Sequence, residues 1–319
     1  GGKMEKVTIF DVARRAGVGK STVSRVMNND ENVKEETKIK VLEAIKEFNY
    51  IPSASARGMR AGNSRVLGVV ASRLDSPSEI RAIRGMLEII YSKGYDVVLV
   101  ESLFDDEKTK EHIAMLINKK VEGIIIFAKS GMKYDYLKKI KIPVIMMAQE
   151  VEGFTSIVYD DYGAIEKVLE NFHNEGVNKI AYLGVDLQDE TTGYRRYKAY
   201  EDFVNKNRLK NISKFGDFSY KTAYNLTEEL VKNEVEAIVC ATDNLALGVR
   251  KYLTDKTITD IKVSGVGNNE LMEFFYKDHI SVNLSYKQAG TKAANLIFDM
   301  VNNISVDKLI VMESELIKD

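Results

Sequence analysis

The 319 residues exceed the usual size of one domain, and with 45% apolar and 29% charged residues they suffice for a substantial core. No apolar run approaches the ~20 residues of a membrane helix and no charged-then-apolar segment opens the chain, so a cytoplasmic protein without membrane contact is expected; the single Cys240 excludes an internal disulfide or a thiolate metal cage. The net charge of -1 hides an asymmetry, since residues 1–64 carry 12 Lys/Arg against 8 Asp/Glu and the rest 34 against 39, a basic head suited to phosphate ahead of an acidic body.

From Thr8 to Tyr50 the apolar spacing is helical: Ile9, Val12, Ala13 and Ala16, then Val23 and Val26 after Gly17, then Val41, Leu42, Ile45 and Phe48. Three short helices are predicted over 4–50. Phe10 to Asn29 reads as two helices joined at Gly17, a helix-turn-helix whose second helix meets base edges near its N-terminus, placing Lys20, Ser21 and Arg25 at the bases. A helical hairpin in some larger bundle is the bland alternative. Gly19-Lys20-Ser21 imitates the end of a phosphate loop, but Arg14 stands where such a loop needs glycine and a helix stands where it needs a strand. Residues 51–64 are small, polar and basic, and read as a linker or a marginal helix that needs a partner to fold.

From Arg65 apolar strands alternate with amphipathic helices, the pattern of a parallel sheet. Strands are expected near 66–72, 96–100, 122–127 and 143–147, then near 180–184, 236–241 and 262–266. Helices are expected near 78–92, 106–118, 132–139, 162–175, 193–206, 219–233, 243–253 and 285–302. Two Rossmann-like lobes follow, about 65–158 with 288–306 and about 159–287 with 307–319, and the cleft between such lobes is the default ligand site. The fold class is therefore an all-α helix-turn-helix head on a two-lobed α/β core of periplasmic-binding-protein type.

Three loops of the core hold candidate ligand groups. Ser76, Pro77 and Glu79 form a capping box with proline at the first helical position, and Arg73 just ahead makes a natural anion site, or else a solvated loop arginine. Asp189 to Tyr200 again opens a helix. Asp243 and Asn244 end a strand, where sugar hydroxyls are often gripped; Asp243 is equally well a plain helix cap. Asn268 and Tyr286 complete the rim.

Thr8 to Asn29, followed by Asn49-Tyr50-Ile51-Pro52 and the basic linker, resembles the LacI/GalR family of bacterial repressors. The resemblance runs the length of the chain and implies a DNA-contacting set of Thr8, Lys20, Ser21, Thr22, Ser24, Arg25 and Asn28 in the head. In the linker it implies Ser53, Ala56 and Met59, with Met59 as a minor-groove wedge beside helix-weakening Gly58. The Ser72-Arg73-Leu74-Asp75-Ser76 loop, the loop from Asp189 to Arg196 and Cys240-Ala-Thr-Asp243 resemble the trehalose-responsive members of that family, whose effector is trehalose 6-phosphate. The phosphate contacts so implied are Arg73, Arg196, Asn244 and Tyr286, although the family member has threonine where Asn244 stands. Asp75, Ser76, Ser78, Glu79, Ala128, Asp189, Asp243 and Asn268 fill out the implied effector site. Two arginines at one cleft suit a phosphorylated ligand, since guanidinium pairs with phosphate bidentately.

An α/β enzyme would need a nucleophile with its base, a metal cluster or a complete cofactor loop, and none is read. His112, His173 and His279 fall on expected helical or loop surface, far apart in sequence, and read as solvated or structural. A periplasmic sugar-binding protein would share the core but would carry an export signal and no helix-turn-helix, and an architectural DNA-binding protein has no use for a cleft-bearing core. No metal or cofactor is expected. The expected partners are a palindromic operator, a sugar phosphate and a second copy of the chain, in the cytoplasm at the nucleoid. A LacI-type regulator of a different sugar or sugar phosphate stays open, as do the operator sequence, induction against co-repression, and dimer against tetramer.

Overall fold

In the computed structural model the described residues are 7–27, 30–50 and 64–318. They form two compact units that divide between Ser64 and Arg65.

The head is three helices: α1 (Ile9–Ala16), α2 (Lys20–Met27) and α3 (Glu35–Glu47). Asp11 accepts hydrogen bonds from the Thr8 backbone N–H (2.9 Å) and hydroxyl (2.6 Å), which fixes the start of α1. Gly17 ends it in the left-handed region at φ 64°, where glycine carries no steric penalty, and this sets the turn into α2. Val12, Ala13, Val23, Val26, Val41, Ala44 and Tyr50 close a small core. Leu42, placed on the apolar face by its spacing, is instead about half exposed.

The first lobe of the larger unit is a six-stranded sheet in the order β11-β5-β4-β3-β1-β2, parallel throughout. Its strands are β1 (Val66–Ala71), β2 (Asp96–Glu101), β3 (Gly123–Phe127), β4 (Val144–Ala148), β5 (Thr155–Tyr159) and β11 (Leu309–Met312). Helices α4 (Pro77–Ser92), α5 (Asp106–Asn118) and α11 (Tyr286–Val301) flank it. α4 and α11 touch backbone to backbone, since a side chain at Gly85 would lie 2.1 Å from the Lys287 carbonyl oxygen and one at Gly290 1.8 Å from that of Ala82. Residues 132–139 give only a short 3₁₀ turn, Asp135–Lys139, rather than the expected helix.

The second lobe holds a parallel sheet ordered β7-β6-β8-β9, from β6 (Ile180–Val185), β7 (Ser213–Gly216), β8 (Ala237–Cys240) and β9 (Lys262–Ser264). A separate antiparallel pair joins β10 (Ser281–Asn283) to β12 (Glu315–Ile317). Its helices are α6 (Asp161–Asn174), α7 (Arg196–Lys206), α8 (Tyr220–Val231), α9 (Asp243–Asp255) and the short α10 (Glu270–Phe275). The helix expected from 193 begins instead as a π-helical turn, Glu190–Arg195, that runs into α7. The chain passes between lobes at Asp160, at Leu284–Ser285 and at Glu313–Ser314, which corrects the assignment of 307–319 to the second lobe. Leu309–Met312 pairs with β5 in the first sheet, and only Glu315–Ile317 belongs to the second lobe. Cys240 is fully buried on β8, and burial raises its thiol pKa well out of the reactive range.

Candidate effector cleft and DNA-reading helix

In the head, Lys20, Ser21 and Arg25 lie exposed on α2 while Val23 and Val26 face the core, the division that a helix lying in a groove requires. Thr22 and Ser24 are half-buried, and the Thr8 hydroxyl is spent on Asp11. The Arg25 Nε donates to Asp30 (2.8 Å), whose other oxygen accepts from the Asn32 backbone and side chain. These bonds, that from Arg25 first, hold the Asp30 carboxyl down at about 2. The Lys20 ammonium sits over the Phe10 ring, 4.8 Å from its centre. Asn28, Ser53, Ala56 and Met59 lie outside the described residues.

Between the lobes of the larger unit lies a cavity of about 1190 Å³. It gathers Arg73, Ser76, Ser78, Glu79, Ala128, Asp189, Arg196, Asp243, Asn244, Asn268 and Tyr286 from loops remote in sequence. Asp75 departs from the expectation: it lies off the cavity wall with its side chain 84% exposed, 3.3 Å from the Arg73 Nε. Polar loops at the carboxyl ends of parallel strands build the cavity, as expected where two such sheets face each other.

Ser76 caps α4 by accepting from the Glu79 backbone (3.5 Å), but the Glu79 carboxylate does not return the bond as a capping box would. It accepts from the backbone N–H groups of Ser72 (2.7 Å) and Arg73 (3.3 Å), fixing the loop that carries Arg73. Burial pushes the Glu79 carboxyl up to about 7 against the pull of those amides. The Arg73 guanidinium lies 4.8 Å from the ring centre of Phe218 in the second lobe and 5.9 Å from that of Phe104 in the first.

Two of the expected ligands are already engaged. Arg196, 3% exposed, pairs with Asp161 through Nε (2.7 Å) and Nη2 (2.6 Å) and donates from Nη1 to the Ala241 carbonyl (2.5 Å). It therefore offers its remaining N–H groups rather than an unmatched charge. Asp161 is equally buried, and burial raises its carboxyl above the ordinary range while the Arg196 charge pulls it back. The Asp243 carboxylate accepts from Ser281 Oγ (2.9 Å), His279 Nε2 (3.0 Å) and the Asn269 backbone (2.8 Å). Asp243 is not the cap either, because Thr242 accepts the Leu245 N–H. His279, expected on the surface, is buried as part of this cluster. Gly265 makes the cluster possible, since a side chain there would fall 2.3 Å from the Asp243 carboxylate.

Free polar capacity lies elsewhere. Oδ1 of Asp189 caps the π-helical turn through the Thr191 and Gly193 N–H groups (3.1 Å each), which leaves Oδ2 without a partner among the described residues. The buried Tyr159 hydroxyl has none either; its ring meets Tyr286 edge-on at 4.9 Å. Sequence reasoning missed Tyr159, Asp161 and Arg81. Arg81, on α4, also lines the cavity and donates through Nη1 to the carbonyls of Gly267 and of Asn268 (3.2 Å) in the second lobe. Strand β5 escaped the period reading and took Tyr159 with it, and Asp161 lies just ahead of the helix expected from 162 with no local signal that marks it.

Comparison with known proteins matches residues 8–53 to "Bacterial regulatory proteins, lacI family" and residues 169–318 to "Periplasmic binding protein-like domain". The HTH-type transcriptional regulator TreR of Salmonella typhimurium is 36% identical over 98% of this chain and 99% of its own, and that of Escherichia coli K12 is 35% identical over the same shares. Among solved structures, the trehalose repressor from Escherichia coli superposes with a TM-score of 0.77 at 32% identity, covering 79% of this chain and 99% of its own. The Lac repressor bound to ONPG superposes at 0.87 over 98% of this chain and 99% of its own; at 22% identity that likeness speaks for the fold. With a reading helix in the head, a polar cleft in the core and relatives that are transcriptional regulators rather than enzymes, the chain belongs to the lacI family of bacterial regulatory proteins.

Proposed function

We propose that this regulator represses sugar-utilisation genes, those for trehalose above all, by holding a palindromic operator as a homodimer in the cytoplasm, and that trehalose 6-phosphate in the interlobe cleft releases it. The observation that carries the reading is the 36% identity to TreR over 98% of the chain, which spans the helix-turn-helix and the cleft together. Arg25, Lys20 and Ser21 read base edges, and Arg73 takes the phosphate, its guanidinium being the bidentate partner such a group calls for. Asp189 Oδ2 takes a sugar hydroxyl, and Asn244 and Arg196 from the second lobe and Tyr286 from the first add polar contacts toward the phosphate.

Release follows if the effector prefers one lobe arrangement, and it shifts the dimer by no more than that difference in affinity. Calorimetry of wild type and Arg73→Ala with trehalose 6-phosphate and with trehalose tests the assignment. Wild type is expected to bind the phosphorylated sugar much more tightly, and Arg73→Ala to lose most of that difference. Equal binding of both sugars by wild type contradicts the phosphate reading and points to a regulator of another sugar.

A further inference from the structure

The charges of the cleft arginines are matched unequally. Asp161 matches Arg196 at 2.6 Å and Asp75 lies 3.3 Å from Arg73, whereas Arg81 has no carboxylate within salt-bridge distance among the described residues. Its Nη1 is held by the carbonyls of Gly267 and Asn268, and its guanidinium lies 5.8 Å from the Tyr286 ring centre. Nε and Nη2 make no hydrogen bond among the described residues. A half-buried guanidinium facing a cavity, its hydrogen bonds made to neutral carbonyls and its face to an uncharged ring, is electrostatically incomplete, and an anion entering the cavity completes it.

The position of the grip matters as well. α4 belongs to the first lobe, while Gly267 and Asn268 belong to a second-lobe loop held in positive-φ backbone (137° and 50°). We propose that Arg81 is a further effector-binding residue, one that takes an anionic oxygen of the phosphorylated ligand with its free N–H groups while Nη1 keeps the two lobes together. Occupancy and closure are then read by one side chain, and the preference for a phosphorylated over a neutral sugar depends on it as well as on Arg73. This inference rests on the sugar-phosphate reading above.

Calorimetry at fixed ionic strength on wild type, Arg81→Gln and Arg81→Lys, with trehalose 6-phosphate and trehalose, gives the direct test. Arg81→Gln is expected to weaken trehalose 6-phosphate by about tenfold or more and trehalose by less than about threefold, with Arg81→Lys in between. If wild type discriminates between the sugars and Arg81→Gln keeps the same ratio, Arg81 is only a structural latch and the inference fails, while the trehalose 6-phosphate reading stands. If wild type binds neither sugar, thermal stabilisation by inorganic phosphate decides. Stabilisation of wild type that Arg81→Gln loses supports the inference without trehalose. Equal stabilisation of both proteins, or none of wild type, overturns it.

Discussion

Removing the Asp161 carboxylate is expected to destabilise the core strongly. Arg196 is 3% exposed, and its charge faces Asp161 at 2.6 and 2.7 Å. Asp161→Ala leaves a buried guanidinium with only the Ala241 carbonyl and its neutral neighbours. Breaking one side of such a pair costs about 3–5 kcal/mol, because the remaining charge is desolvated without compensation. For a core of this size that lowers the melting temperature by about 10 °C. The double variant Asp161→Ala/Arg196→Met removes both charges and is expected to recover most of the loss. Denaturant melts of wild type, single and double variants measure the differences directly. A single variant within about 1 kcal/mol of wild type, or a double variant no more stable than the single, refutes the reasoning. The unmatched Arg196 should also make a phosphorylated ligand stabilise Asp161→Ala more than it stabilises wild type.

Further expectations concern both units. Arg25→Ala should relax operator preference at particular positions by ~1–3 kcal/mol, and an unchanged consensus in binding-site selection contradicts that role. Asp30→Asn frees Arg25 and deletes a negative charge beside the reading helix, so nonspecific DNA affinity should rise while discrimination falls; competition titrations at fixed salt showing an unchanged ratio count against it. Glu79 is raised to about 7 in the folded chain from an ordinary value of 4.5, so its contribution to stability is complete below about pH 4.5 and lost as pH rises through 7. Relative to Glu79→Gln, wild type should lose at most about 3 kcal/mol across that window and nothing further above it; parallel stability curves contradict this. Gly265→Ala places a methyl against the Asp243 carboxylate and should cost ~1–3 kcal/mol in chemical melts, with no loss if the cluster is not rigid.

Much of the framework was legible because it is written in local signals. Ser76-Pro77 starts α4 where the sequence says it does, and the runs at 66–71 and 123–127 are apolar enough to stand as buried parallel strands. β5 was not legible, because Thr155 and Ser156 are polar by type yet buried in a parallel sheet. β7, β10, β11 and β12 are three or four residues long and carry no period, so only pairing with distant partners defines them. The lobe assignment of the last residues failed for that reason. Some cleft residues, such as Arg73, Asp243 and Asn268, were legible from type and place, and others, Arg196, Ser78 and Ala128 among them, came only from the family resemblance; their engagement was legible from neither: Arg196 meets Asp161 across 35 positions, and Asp243 meets His279 and Ser281 across 36 and 38. Sequence spacing marks who lines a site, whereas which charges are already matched is a property of the tertiary fold.

The most direct test of the whole account is fluorescence anisotropy of the full chain on a labelled palindromic operator, titrated with trehalose 6-phosphate and, in parallel, with trehalose. The account predicts that the phosphorylated sugar releases the DNA at far lower concentration than trehalose does. Release by both sugars at the same concentration, or DNA retained through the whole titration with either, contradicts it.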